Sequence, residues 1–245
     1  MRSGRARPGT DAVPQKMNPR RRAILALALL VPAPSIGTLA AMVLFPGTAL
    51  GKGLFAASKL WLVAFPAIWL RLVDRERFGL SPARNGGFLM GLASGVGLGL
   101  LVVLGWLAFG QGLINRASFV GKMGEIGLGS LLMYVGGAAY WILVNSVLEE
   151  YVWRWFVFRK CEALAGPRMA AMLAALFFSL HHFIALRAYC PLPVAVACSI
   201  GVFIGGAVWS LMYSRYRSVW PGYVSHAIVD LCVFGIGAAM LFGGR

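Results

Sequence analysis

Residues 128–160 read LGSLLMYVGGAAYWILVNSVLEEYVWRWFVFRK, and this stretch carries no charge before Glu149. The uncharged run is long enough to cross a lipid bilayer, because a transmembrane helix needs about 20 mostly apolar residues. Two adjacent glutamates, Glu149 and Glu150, follow the run directly, and Arg154 comes one helical turn later. Charged groups at membrane depth are costly and mark functional sites, so the stretch predicts a membrane helix that carries such a site.

The composition of the whole chain agrees with a membrane protein. Of its 245 residues, 59% are hydrophobic and 13% are charged, whereas a soluble domain carries about 25% charged residues. We therefore predict an all-α fold, a polytopic helical membrane protein with about seven transmembrane helices. The predicted spans cover roughly 23–45, 54–73, 87–110, 128–149, 169–189, 193–213 and 219–242.

The segment 150–165 between the fourth and fifth predicted spans is amphipathic and rich in aromatic residues. We predict a short additional helix here, which ends at Gly166 and Pro167 because this dipeptide is a strong break signal. Aromatic residues are enriched at membrane interfaces, so we interpret four of these side chains as an interface belt: Trp153, Trp155, Phe156 and Phe158.

Basic residues give the chain a net charge of +15. They lie between the apolar runs, so we expect them to set the orientation in the lipid bilayer and predict no nucleic-acid partner. Residues 1–22 are basic, which predicts a disordered cytoplasmic tail, and residues 23–245 are predicted to form one transmembrane domain. The distribution of Lys and Arg places the N-terminus in the cytoplasm, and we expect an integral protein of a bacterial plasma membrane.

Seven titratable residues within or next to the predicted spans stand out and include all three histidines of the chain: Glu149, Glu150, Arg154, His181, His182, His226 and Asp230. A spacing of four residues lets Glu150 form an ion pair with Arg154 across one helical turn. The same spacing places His226 and Asp230 on one helical face. Glu149 lies about 100° around the helix from Glu150, so the two carboxylates point to different neighbours.

These residue types can hydrolyse a peptide bond. A buried carboxylate such as Glu149 can act as the general base on a water that it shares with a histidine. His226 and Asp230 can stabilise the oxyanion that develops on the attacked carbonyl. A metal site would need three ligands, for which Glu149, His182 and His226 are the candidates, but the chain has no HExxH motif. We therefore expect no cofactor, and a zinc ion is the alternative.

Three motifs follow one another in the C-terminal half of the chain: EEYVWR at 149–154, FSLHH at 178–182 and HAIVD at 226–230. They resemble the EExxxR, FxxxH and HxxxN/D motifs of the CPBP (CAAX protease and bacteriocin-processing, or Abi) family of intramembrane proteases. The resemblance covers roughly residues 128–235, which would be the catalytic core. It implies a helical membrane fold with a conical cavity, and a glutamate-dependent endopeptidase that cleaves a membrane-associated protein or peptide near the cytoplasmic face.

The resemblance also implies a role for each motif residue. Carried over by motif position, these roles are water activation by Glu149 and His182, an oxyanion site of His226 and Asp230, and a structural ion pair of Glu150 with Arg154. A non-proteolytic membrane protein remains the alternative, either a proton-coupled transporter or an immunity or scaffold factor, because buried acids and histidines also form proton relays.

The chain departs from the family pattern at three places. Trp155 stands where the family usually has glycine, which would reshape the cavity wall. Asp230 stands where asparagine is commoner, and since an ionised carboxylate cannot donate, Asp230 is also a candidate to orient His226. The doubled histidine satisfies FxxxH in two registers, through His181 or His182. Adjacent residues of a helix face different directions, so we expect one of them to be catalytic and favour His182.

Overall fold

The first helix begins at Pro19, and Asn18 is its N-cap residue. In the computed structural model, which describes residues 17–77, 79 and 81–244, the Asn18 side chain accepts a hydrogen bond from the Arg20 amide at 2.9 Å. Pro19 occupies the first helical position, where an amide N–H would have no helical partner. The helix therefore begins before the predicted boundary at residue 23. Residues 1–16 of the predicted tail lie outside the described residues.

Helices make up the fold, and no strand occurs among the described residues. The helices are α1 (Pro19–Leu44), α2 (Ala49–Asp74), α3 (Phe88–Leu113), α4 (Arg116–Glu125), α5 (Leu131–Tyr189), α6 (Leu192–Tyr216) and α7 (Trp220–Phe242). All except α4 are long and apolar enough to cross a membrane, and large apolar side chains such as Leu89 and Leu132 are exposed on the outer surface. The prediction of a polytopic helical membrane protein is confirmed.

The helix α5 differs most from the prediction, because it joins the fourth span, the amphipathic segment and the fifth span in one helix of 59 residues. It is kinked at Gly166, whose φ of 76° is a backbone conformation that favours glycine. The rings of Trp153 and Phe178, on opposite sides of this kink, have centroids 5.7 Å apart. The two arms of α5, 131–165 and 167–189, therefore fold back on each other. The described part of the chain thus has six helices of membrane-spanning length, where seven spans were predicted.

The four aromatic side chains of the predicted interface belt are buried, so this prediction is wrong. Each of the four exposes 6% of its surface or less, and they are Trp153, Trp155, Phe156 and Phe158. Phe156 packs edge-on against Phe65 of α2 at a centroid distance of 6.0 Å. Phe158 does the same with Tyr213 of α6 at 5.6 Å. Residues 152–158 of the first arm pack against α2, α6 and the second arm, and aromatic content alone does not distinguish such a core from a belt.

Glycines bring α3 and α6 close to the helices that carry the three motifs. Gly95 of α3 faces α7, where an added Cβ would lie 2.9 Å from the Cα of Ser225. Gly206 of α6 faces the second arm of α5, where an added Cβ would lie 3.3 Å from the Cα of Ala175. Membrane helices commonly pack through small residues in this way. The close approach holds α7 and the second arm beside the first arm, which carries the two glutamates.

Candidate active site

The structure gathers all seven predicted site residues in one cluster. The first arm of α5 carries Glu149, Glu150 and Arg154, the second arm carries His181 and His182, and α7 carries His226 and Asp230. His226 lies at the centre, because its imidazole is within 3.7 Å of the carboxylates of Glu149 and Asp230 and within 3.1 Å of that of Glu150. The kink in α5 and the close packing of α7 create this convergence.

The predicted ion pair of Glu150 with Arg154 is confirmed. Arg154 Nη1 lies 3.0 Å from Glu150 Oε1, and the two side chains are 1% and 0% exposed. The guanidinium also donates from Nη2 to the Gly206 carbonyl at 3.4 Å and lies over the ring of Phe178 at 4.6 Å. Because Glu150 Oε1 is in addition 3.1 Å from His226 Nδ1, this pair connects α5 with α6 and α7. The ion pair therefore stabilises the packing of these three helices as well as the local turn of α5.

The carboxylate of Glu149 points away from that pair. Its Oε2 lies 3.7 Å from His226 Nε2, and its Oε1 lies 3.8 Å from the Nζ of Lys59 on α2. The side chain is 13% exposed, whereas that of Glu150 is fully buried. The helical offset between the two residues thus has the predicted effect, since each carboxylate meets a different set of neighbours.

The imidazole of His226 is held by both its ring face and its nitrogens. It stacks on Trp209 of α6, with ring centroids 4.0 Å apart and an interplanar angle of 16°. Its Nδ1 faces Glu150, and its Nε2 lies 3.7 Å from Asp230 Oδ2 as well as from Glu149. Both ring nitrogens face acceptors, so an imidazolium would donate on both sides. Asp230 itself accepts a hydrogen bond from Ser146 Oγ at 2.7 Å.

The two adjacent histidines both reach the site, contrary to the expectation that they diverge. Their ring centroids are 4.2 Å apart, and both line the same cavity as Glu149. His182 donates from Nδ1 to the Phe178 carbonyl at 2.9 Å, which leaves its Nε2 as an acceptor. His181 stacks on Trp153 at 5.5 Å, and its Nδ1 has no hydrogen-bond partner among the described residues.

A cavity of about 150 Å³ lies between α1, α2 and the two arms of α5. Its polar wall consists of Thr38, Ser58, Lys59, Glu149, His181 and His182, and the rest is apolar, including Phe55 and Trp141. A water molecule occupies about 30 Å³ of liquid volume, so the cavity has space for a few waters or for part of a peptide side chain. The cavity therefore has space for a water molecule beside Glu149.

Three side chains of this wall also have the composition of a metal site. One ligand atom each of Glu149, His181 and His182 lie within 4.8 Å of one another. The set differs from the alternative derived from the sequence, because it contains His181 in place of His226, whose Nδ1 is engaged by Glu150. Zinc–ligand bonds are about 2.0–2.2 Å long, so the three side chains would have to draw together to hold the ion.

Trp155, the residue that stands where the family usually has glycine, does not line the cavity of Glu149. It lines a separate cleft of about 250 Å³ near Arg22 and Arg159. Its ring stacks on that of Tyr151 at 4.8 Å. The departure from the family pattern therefore leaves the active-site wall unaffected.

Sequence reasoning missed several residues that surround the motif residues. Lys59 was visible as a charge within a predicted span, and Asn145 and Ser146 stand one turn before the two glutamates. These positions could have been selected by the rule that polar groups at membrane depth are functional. The stacking of Trp209 on His226 has no sequence signal, because it depends on how α6 packs against α7.

Buried glutamates and histidines here converge on a cavity between membrane helices, which is an arrangement suited to hydrolysis within a membrane. Residues 131–232 match the model of the family described as type II CAAX prenyl endopeptidase Rce1-like, and this range contains the whole predicted motif set. This part of the chain is thus similar to the CAAX protease family, whose members hydrolyse peptide bonds. No curated protein and no solved structure matched the chain.

Proposed function

We propose that the protein is an intramembrane endopeptidase that cleaves a membrane-associated protein or peptide near the cytoplasmic face, with a water activated by Glu149 and His182. The observation that carries the proposal is the position of Glu149. It is the carboxylate in the wall of the cavity, it is surrounded by histidines from two helices, and its neighbour Glu150 is already engaged by Arg154.

The chemistry follows from the atoms available around Glu149. A water between this carboxylate and Nε2 of His182 gives one proton to Glu149 as its oxygen attacks the peptide carbonyl carbon. The carbonyl oxygen becomes an oxyanion, to which Nε2–H of His226 can donate while Nδ1–H is held by Glu150. Collapse of the tetrahedral intermediate breaks the C–N bond, and Glu149 returns its proton to the leaving amine.

Asp230 serves in this proposal to orient His226 through its charge, which leaves Nε2–H free to donate to the oxyanion. Its Oδ2 is 3.7 Å from His226 Nε2, and it is fixed by the hydrogen bond from Ser146. An ionised carboxylate accepts and cannot donate to an oxyanion, so His226 is the better candidate for the donor. Metal ligands are commonly oriented in a similar way by a second carboxylate, and the same logic applies to a catalytic imidazole.

The distribution of charge supports cleavage near the cytoplasmic face. Arg159 and Lys160 on the first arm of α5 form ion pairs with Glu76 and Asp74 at the end of α2. Basic residues accumulate at the cytoplasmic ends of membrane helices, and we propose that the N-terminus lies on this side of a bacterial plasma membrane. Glu149 precedes Arg159 by ten residues, which is about 15 Å along a helix. This places Glu149 near the midplane of a hydrocarbon core of about 30 Å, so the proposed cleavage requires the substrate segment to reach the site from the cytoplasmic side.

The test is cleavage of a fluorogenic peptide by the purified full-length protein in detergent or proteoliposomes. Glu149→Gln should lower kcat by about 10²- to 10⁴-fold, since it removes a general base. Glu125→Gln is the matched control, because Glu125 is exposed on α4 outside the cluster, and it should leave kcat unchanged. Full activity of the Glu149→Gln enzyme would overturn the proposal.

The same preparation also tests the alternative that the site holds a zinc ion. We expect activity to survive a strong chelator, because the proposed steps use protein groups only. Elemental analysis that finds one zinc per chain, lost together with activity, would instead assign Glu149, His181 and His182 as ligands. The variant His181→Ala would then lose zinc as well as activity.

A further inference from the structure

Lys59 is a charged residue of α2 that faces the cavity from the side opposite the motif helices. It lies outside residues 131–232 and belongs to none of the three motifs. Its side chain is 35% exposed, and near it lies the ring of Phe55, 5.8 Å from Nζ. A lysine at membrane depth is costly unless its ammonium has partners, so its presence in this wall calls for a function.

The ammonium of Lys59 has two partners on one face of α5. Nζ donates to Asn145 Oδ1 at 3.1 Å and lies 3.8 Å from Glu149 Oε1. Asn145 is buried and precedes Glu149 by one helical turn, so its amide oxygen holds the ammonium beside the carboxylate. The ammonium of Lys59 is therefore held by Asn145 and faces Glu149.

The two oxygens of Glu149 consequently face different groups. Oε1 faces Lys59, and Oε2 faces His226 Nε2 at 3.7 Å. The last torsion of a glutamate side chain is broad, so a carboxylate without such contacts samples many orientations. An ammonium on one oxygen selects the orientations in which the other oxygen points to His226.

We propose that Lys59 is a positioning residue of the hydrolytic site, which directs Oε2 of Glu149 at the water and His226. The inference rests on the proposed role of Glu149 as the general base. It extends the site to α2, so that the helix outside the matched range controls the reactivity of the motif glutamate. Other titratable groups that face Glu149 are the imidazoles of His181 and His182 from α5 and of His226 from α7, with Asp230 behind the last.

The experiment compares Lys59→Met and Lys59→Arg in the full-length protein, with Lys52→Met as the matched control. Lys52 is an exposed lysine near the start of the same helix. Each enzyme is assayed on one fluorogenic peptide in two forms, with a free and with an amidated C-terminus. Misplacement of a catalytic group by about 1 Å costs up to about 10²-fold, so Lys59→Met should lower kcat by about 10- to 100-fold on both peptides. KM should change by less than about threefold, and Lys59→Arg should recover most of kcat.

Chemical rescue separates positioning from a merely structural role. The exposure of Lys59 and the space in the cavity admit a small amine, so propylammonium should restore part of kcat to Lys59→Ala in a saturable manner. Neutral propanol, which has a similar shape, should not. Absence of rescue, together with a lower unfolding temperature of the variant, would make Lys59 a structural residue and overturn the inference.

The remaining outcomes distinguish this inference from the proposed function. Unchanged kcat in Lys59→Met, with Glu149→Gln inactive, would overturn the role of Lys59 alone. A rise in KM for the free-acid peptide that is absent for the amide would show that Lys59 binds the substrate carboxylate, which also overturns it. A fully active Glu149→Gln enzyme would overturn the proposed function itself.

Discussion

Two adjacent glutamates of α5 end in regions of opposite character. Glu150 belongs to a buried network with Arg154, His226 and the carbonyl of Gly206, in which polar contacts are 3.0–3.4 Å long. Glu150 and Arg154 expose 1% or less of their side chains. Charges that are buried this deeply are tolerated because they are paired, and removal of one partner leaves the other uncompensated.

Glu149 belongs instead to the cavity wall, with Lys59, His181 and His182. Its contacts to Lys59 and His226 are 3.8 and 3.7 Å long, which is beyond hydrogen-bond distance. The carboxylate therefore keeps acceptor capacity for a water, which the buried network does not offer at Glu150 Oε1. Neighbouring residues of one sequence motif thus divide into a structural group and a reactive group, according to which helix each one faces.

Arg154→Met gives the largest expected effect and attacks the buried network directly. It leaves the Glu150 carboxylate without its guanidinium, which should lower the free energy of unfolding by about 3–5 kcal/mol. Activity should be lost with the fold, as measured by thermal unfolding in detergent and by peptide cleavage. Glu149→Gln provides the contrast, since it should remove activity while the unfolding temperature stays close to that of the unmodified protein.

A second variant makes this prediction specific to charge. The double variant Arg154→Met/Glu150→Gln has no uncompensated carboxylate. Part of the free energy of unfolding that Arg154→Met loses should therefore be recovered. Equal stability losses in the single and the double variant would mean that the packing of Arg154 over Phe178 and Trp209 matters more than the ion pair.

Local spacing predicted the parts of the site that lie on one helix. The four-residue interval between Glu150 and Arg154 is a helical-turn contact, and the divergence of Glu149 from Glu150 follows from helical geometry alone. The kink at Gly166 was foreseen as a break, but not as the fold-back that joins two predicted spans, because a glycine–proline signal does not give the direction of the chain that follows.

Contacts between helices distant in sequence could not be predicted in the same way. Lys59 and Asn145 are 86 residues apart, and only the packing of α2 against α5 brings them together. The doubled histidine shows the same limit: helical geometry favours divergence of His181 and His182, yet the cavity extends around both side chains. A cavity is a property of several helices at once, so its extent is not encoded in the period of any one of them.

Substitutions of the two histidines test which side chains of the cavity wall take part in catalysis, and they have the next largest expected effect on kcat. His182→Ala should lower kcat by about 10²-fold or more, because its free Nε2 is the proposed partner of the water. His181→Ala should lower kcat by less than about tenfold, since His181 is held by stacking on Trp153 and has no assigned proton transfer. Single-turnover cleavage of the peptide measures both. A larger loss in His181→Ala would reverse the assignment and transfer the role to the other register of the FxxxH motif.

Gly222→Ala tests how rigid the buried network is and has the smallest expected effect. An added Cβ would lie 2.5 Å from Glu150 Oε2, and this carboxylate cannot move freely because Arg154 and His226 hold its other oxygen. We expect a loss of about 1–3 kcal/mol in the free energy of unfolding, as for other overpacked sites. The loss of activity should follow from the displacement of His226, and both effects are measured as for Arg154→Met.

Gly235→Ala on the same helix is the matched control for this last variant. Its added Cβ would have no neighbour within 4 Å among the described residues, so only the better helix propensity of alanine remains, worth up to about 1 kcal/mol of stabilisation. The two substitutions are chemically identical and should differ in sign. If Gly222→Ala were as stable and active as Gly235→Ala, the buried network would accommodate an added methyl group. The contrast between a rigidly held Glu150 and a Glu149 that faces the cavity would then no longer hold.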